Sequence, residues 1–160
     1  MKHFLILSVL YMMLPLSLFA QTYDDLWKRV DAAGSKDLPK TQIDLLTKIA
    51  KKAQREKAYG QLLAADLLAS SLQTQISPDS TDVEVERLKA KAQEAERKDE
   101  VLAAIYNCVL GRIEQGKEKG NSAEYFKKAL SNPSLLARQK AANYTPFVKI
   151  GKDDNIFGGD

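Results

Sequence analysis

An all-α fold is predicted by three features of this 160-residue sequence. Apolar residues recur at three- and four-residue intervals in each segment between Thr22 and Asn143. Glycine, proline and small polar residues separate those segments, and no run of strand length alternates apolar with polar residues. An apolar fraction of 44% supports a real core at this length. The helices are therefore expected to form one domain over 21–143 as antiparallel helical hairpins, either a tetratricopeptide-like stack or an irregular helical bundle. An extended tail over 144–160 follows.

The first twenty residues read as an export signal. Lys2 and His3 precede an apolar run from Phe4 to Leu16, and Leu18-Phe19-Ala20 offers a cleavage site after Ala20. The run is short for a membrane span. No cysteine follows it, so a lipid anchor is not expected. Periplasm or cell envelope is the expected location, and cleavage would remove His3, the only histidine.

The first helix is expected from about Thr22 to Ala33, on the spacing of Tyr23, Leu26, Trp27, Val30 and Ala33, and Gly34-Ser35 ends it. Pro39 suits the first turn of a second helix reaching about Lys57, whose apolar stripe reads Ile43, Leu46, Ala50 and Ala53. The third, Tyr59 to Ile76, is apolar around most of its circumference and so is expected to pack on more than one side. Ser77-Pro78-Asp79-Ser80 is a turn, and Thr81 with Glu84 has the capping-box spacing that opens a fourth helix. That helix has a narrow stripe of Val85, Leu88, Ala92 and Ala95. The fifth, about Asp99 to Gln115, is broad again. Asn121 with Glu124 repeats the cap pattern, and two shorter helices are expected over Ser122–Leu130 and Pro133–Asn143.

A repeat organises the middle. Leu63-Ala64-Ala65 and Leu102-Ala103-Ala104 lie 39 residues apart, as do Ala53-Gln54 and Ala92-Gln93. A narrow-striped helix followed by a broad one, twice at this period, points to stacked hairpins.

Chemistry is sparse. With no histidine after cleavage, histidine-dependent triads and most zinc sites are excluded. No glycine-rich phosphate loop precedes a helix, and a net charge of +3 is too small to imply nucleic acid. Cys108 is the only cysteine, so no internal disulfide forms; its setting on the broad fifth helix reads as a buried, inert thiol. Glu94, Glu96, Asp99 and Glu100 read as a solvated mixed-charge face. Tyr23, Trp27, Tyr59 and Tyr106 read as core aromatics, with a peptide groove as the alternative. No catalytic, cofactor-binding or metal-binding residue is assigned, and no cofactor is expected. In the tail, Tyr144, Phe147, Ile150, Ile156 and Phe157 are apolar among Pro146, Gly151, Gly158 and Gly159; they are the candidates for docking on a partner protein or a following domain.

Several stretches carry a family resemblance: Gln21-Thr22-Tyr23-Asp24-Asp25-Leu26-Trp27-Lys28, then Lys36-Asp37-Leu38-Pro39-Lys40-Thr41, Glu56-Lys57-Ala58-Tyr59-Gly60-Gln61-Leu62-Leu63, and the tail from Tyr144-Thr145-Pro146-Phe147 to Phe157-Gly158-Gly159-Asp160. Together these resemble the N-terminal region of large alpha-2-macroglobulin-like proteins of Bacteroidetes bacteria. The resemblance implies a non-catalytic helical scaffold or docking module ahead of β-sandwich domains in an exported protease trap, an endopeptidase inhibitor. The thioester pattern of such traps is absent here, since Cys108 stands in Asn-Cys-Val-Leu. A source of this kind would also make Ser80, in Asp79-Ser80-Thr81, an acceptor for O-glycosylation. A free-standing exported tetratricopeptide-like adaptor for a protein or peptide is the alternative.

Overall fold

The computed structural model describes residues 21–148, and among them the regular structure is entirely helical. The export signal and the tail candidates Ile150, Ile156 and Phe157 lie outside the described residues.

Helix α1, Tyr23–Gly34, starts where Thr22 Oγ1 accepts from the Asp25 amide at 3.1 Å. Helix α2, Pro39–Glu56, opens on proline, whose missing N–H is not needed in a first turn, and ends at Lys57 in the left-handed region with φ 55°. Helix α3 spans Tyr59–Ile76 and leads through a 3-10 turn at Pro78–Ser80 into α4, Thr81–Glu96. Helix α5, Glu100–Gln115, is followed by the short helices α6, Ser122–Ala129, and α7, Pro133–Leu136, and by a 3-10 turn at Ala141–Tyr144.

Helices α2 and α3 form one antiparallel hairpin, and α4 and α5 form the second, while α1 lies on α2 and α6 on α5. Two apolar clusters follow from this. Leu26, Val30, Ala33, Leu45, Leu46, Ile49 and Ala65 join α1, α2 and α3. Leu63, Val85, Leu88, Ala92, Ala95, Ala103, Tyr106, Leu110 and Tyr144 join α3, α4, α5 and the last 3-10 turn. Helix α3 belongs to both, which is why its sequence is apolar nearly all round. Polar ties supplement the first cluster: Trp27 Nε1 donates to Gln61 Oε1 at 2.6 Å, and the Tyr23 hydroxyl donates to Glu56 at 2.7 Å. At the other end Gly111 has no side chain to obstruct the Phe126 ring, so α6 lies close on α5.

Several expectations are corrected. The Thr81–Glu84 capping box does not form. Thr81 is already the first helical residue and its hydroxyl donates to the Pro78 carbonyl at 2.7 Å, while Glu84 is drawn away by Ser70 and Arg87. Asn121 Nδ2 does donate to Glu124, but the Asn121 side chain makes no cap bond to the helix backbone. The helix expected over Pro133–Asn143 stops at Leu136, because the chain turns through Arg138 and Gln139 to bring Tyr144 onto α3. The start of the tail is therefore not extended away from the domain. Tyr144 is buried and Phe147 and Val148 pack on the same cluster, so Tyr144 is not a docking residue on offer to a partner. Cys108 is exposed rather than buried, since α5 turns Tyr106, Asn107 and Leu110 inward instead.

Candidate functional site

The stacking of the two hairpins leaves a groove. Helices α2 and α4 are its walls, and the floor is the face of α3 between them. Its middle section is a depression of about 470 Å³ lined by Ile43, Ala50 and Lys51 of α2, by Ala65 and Ala69 of α3, and by Arg87 of α4, among others. A second depression of about 530 Å³ continues it past the α2 end, between Lys57, Tyr59, Lys98 and Leu102. Gln54, Leu62 and Lys91 line both, so the two are continuous.

The α2 wall explains a misreading. The expected stripe of Ile43, Leu46, Ala50 and Ala53 is rotated in the folded helix: Leu45, Leu46, Ile49 and Ala53 are buried, whereas Ile43 and Ala50 are only half-buried and face the groove. Both sets share a helical period, and spacing alone does not distinguish which is covered.

Sequence reasoning also missed the polar cluster between floor and far wall. Asp66 lies within the apolar run of α3 and is only 5% exposed. Its Oδ1 accepts from Arg87 Nη1 and from Lys91 Nζ, each at 2.7 Å, and its Oδ2 accepts from the Tyr106 hydroxyl at 3.0 Å. Arg87 Nε donates to Glu84 Oε2 at 2.8 Å, and the same oxygen accepts from Ser70 at 2.7 Å. Burial costs a charge several kcal/mol unless it is paired and bonded, and here the pairing is complete: two carboxylates face two cations. For Arg87, burial works against the charged form, but Asp66 and Glu84 outweigh it and hold the guanidinium above its ordinary value. For Tyr106, burial and then the Asp66 charge push the phenol well above the ordinary tyrosine range. The signal available in sequence was a lone aspartate inside Leu62–Leu68 with basic residues one helix on, at Arg87 and Lys91.

The remaining candidates fall outside the groove or at its end. Tyr59 is half-buried at the mouth of the second depression, where burial first and the Asp99 carboxylate second push its phenol up to about 12. Asp99 also caps α5, accepting from the Leu102 amide at 2.9 Å. The Asp99→Ala variant is expected to lose about 1 kcal/mol of stability in urea titration and to bring the Tyr59 titration down towards its ordinary value. A tyrosine whose folded pKa is raised contributes stability that is complete below the unfolded value near about 10 and lost as pH rises through the folded value. Stability is therefore expected to hold up to about pH 10 and to fall between there and about 12, read as a falling urea midpoint across that range.

Ser80 is half-buried in the turn before α4, and its hydroxyl donates to the Ser77 carbonyl at 2.6 Å. Of the acidic run, Glu94 pairs with Lys98 and Glu100 accepts from Asn132 Nδ2, both on the surface. Among the described residues no helix is long and apolar enough to cross a membrane. Comparison of the chain with protein-family models, with curated proteins and with solved structures found no match, so the groove between α2 and α4 is read on its own geometry.

Proposed function

We propose that this chain is a non-catalytic docking module of an exported protein, and that a segment of a partner protein lies in the groove between α2 and α4. The observation that carries the reading is the groove itself, an open channel of mixed lining on a stack of helical hairpins, where half-buried Ile43, Ala50 and Ala69 lie among charged side chains of α2 and α4. Stacked hairpins present such channels as binding surfaces. The reading as a binder rather than an enzyme is supported by how the carboxylates near the groove floor are used. Both oxygens of Asp66 accept bonds from its neighbours, and Glu84 is shared between Ser70 and Arg87. A general base needs a carboxylate with room for a substrate proton.

The family resemblance extends the proposal: the module would stand at the front of an alpha-2-macroglobulin-like protease trap, with a following domain supplying the segment. In the other version it is a free-standing tetratricopeptide-like adaptor whose segment comes from a separate envelope protein. The packing of Phe147 and Val148 on the helices favours the adaptor, because the start of the tail is already satisfied within its own domain. Reading the coding frame beyond the Asp160 codon separates the two. A frame that continues into β-rich sequence with a bait region supports the trap, and a stop codon supports the adaptor.

The groove is tested by selecting a phage-displayed random peptide library on the purified chain. Thr47 and Gln54 are exposed on the α2 wall, so Thr47→Trp with Gln54→Trp fills the channel without disturbing the core. Selected peptides are expected to bind the filled variant at least about tenfold more weakly. Failure to enrich any peptide, or equal binding to the filled variant, overturns the reading.

A further inference from the structure

We infer that the segment held in this groove is extended and acidic, with carboxylate side chains alternating with small apolar ones; the inference rests on the docking reading above. The charge inventory of the groove carries it. Four carboxylates line the two depressions, and each is engaged by the protein: Asp66 by Arg87, Lys91 and Tyr106, Glu84 by Arg87 and Ser70, Glu94 by Lys98, and Asp99 by the amide that it caps. The cations outnumber them, with Lys51, Lys57, Arg87, Lys91 and Lys98 in the same lining. Lys51 and Lys57 are exposed and form no ion pair among the described residues. Arg87 donates through two of its five N–H groups and Lys91 through one of three, and both side chains remain about a third exposed on the groove side. The lining therefore carries one more positive charge than negative, with Lys51 and Lys57 left without an ion pair, and a carboxylate is the complementary group.

The apolar lining sets the other half of the pattern. Ile43, Ala50 and Ala69, each half-buried, offer a narrow apolar strip, and the two alanines are small enough for a segment to approach closely. An extended chain turns alternate side chains to opposite sides, which lets one set lie on that strip while the other reaches Lys51 and Lys57 on one wall and Arg87 and Lys91 on the other. The lined stretch runs from Ile43 to Lys57, the residue just after α2, which at the helical rise is about 21 Å. That length accommodates about six extended residues.

The same selection experiment tests this with separate outcomes. The probe is a phage-displayed library of random peptides of roughly nine residues, a little longer than the groove. Enriched peptides are expected to carry net negative charge, with Asp or Glu alternating with Ala, Val or Leu. Their affinity is expected to fall at least about tenfold in the Lys51→Glu with Lys57→Glu variant, and to fall with added salt. Both lysines are exposed, so circular dichroism of the variant is expected to match the parent. Neutral or basic peptides that still lose binding to the tryptophan-filled groove overturn the acidic assignment and leave the docking reading standing. Absence of any groove-dependent peptide overturns both.

Discussion

Replacing Asp66 with alanine is expected to destabilise the fold by about 2–4 kcal/mol. Removing one partner of a buried ionic cluster leaves the others uncompensated. Arg87 and Lys91 are each about a third exposed and can turn to water, which keeps the loss towards the lower part of the range usual for buried pairs. Tyr106 has no such escape: it is 2% exposed, and its hydroxyl loses its acceptor. Tyr106→Phe removes the same hydrogen bond from the other side, at about 1–2 kcal/mol. Once Asp66 is alanine, the phenylalanine substitution is expected to cost less than it does alone, because the orphaned hydroxyl goes with it. Urea unfolding of the two single variants and the double variant measures this coupling. A loss below about 0.5 kcal/mol for Asp66→Ala would mean that the cluster contributes nothing to stability.

Gly60→Ala is expected to destabilise the protein although alanine is the better helix former. Gly60 is in the first turn of α3, where helix propensity alone would favour alanine by about 1 kcal/mol. A Cβ there meets the Tyr144 carbonyl carbon and the Thr145 oxygen far inside contact distance, and those are backbone atoms that no rotamer change removes. The segment over 141–148 is expected to move off α3, giving up much of the burial of Tyr144 and the packing of Phe147 and Val148. Burying a large apolar side chain stabilises by about 1.5–3 kcal/mol, which sets the net loss at about 2 kcal/mol. The control is Gly116→Ala, where the nearest atom is the Ile113 carbonyl oxygen at 3.6 Å and little change is expected. Urea midpoints give the energies, and faster trypsin cleavage after Arg138 and Lys140 in Gly60→Ala reports release of the segment. Parental stability and parental cleavage would remove the close approach of the 141–148 segment to α3 as a stabilising contact.

The helical class and the placing of α1 to α6 follow from the apolar spacing and turn residues, because those signals are local: Gly34-Ser35, Pro39, Ser77-Pro78 and Gly116 each mark a boundary. What was not legible depends on contacts between helices. Glu84 has the capping-box offset from Thr81, yet Arg87 and Ser70 compete for it once α3 and α4 are side by side. Asp66 reads as an isolated polar residue until α4 brings up Arg87 and Lys91 and α5 brings up Tyr106. Ile43 and Ala50 have the period of core residues and line an open groove instead. Tyr144 reads as tail, and the absence of a side chain at Gly60 gives it a seat on α3. The exposure of Cys108 was likewise a matter of which way α5 rolls on its neighbours.

The membership of α3 in both apolar clusters has a consequence for how the molecule comes apart. Cooperativity between the hairpins has to pass through this one helix, whose Leu63 belongs to one cluster and whose Ala65 belongs to the other. Amide hydrogens of α3 should therefore exchange only through global opening, while those of α1 exchange through a cheaper event that peels a single helix from the end of the stack. Native-state hydrogen exchange in rising urea would resolve the two regimes as isotherms that merge for α3 and stay separate for α1.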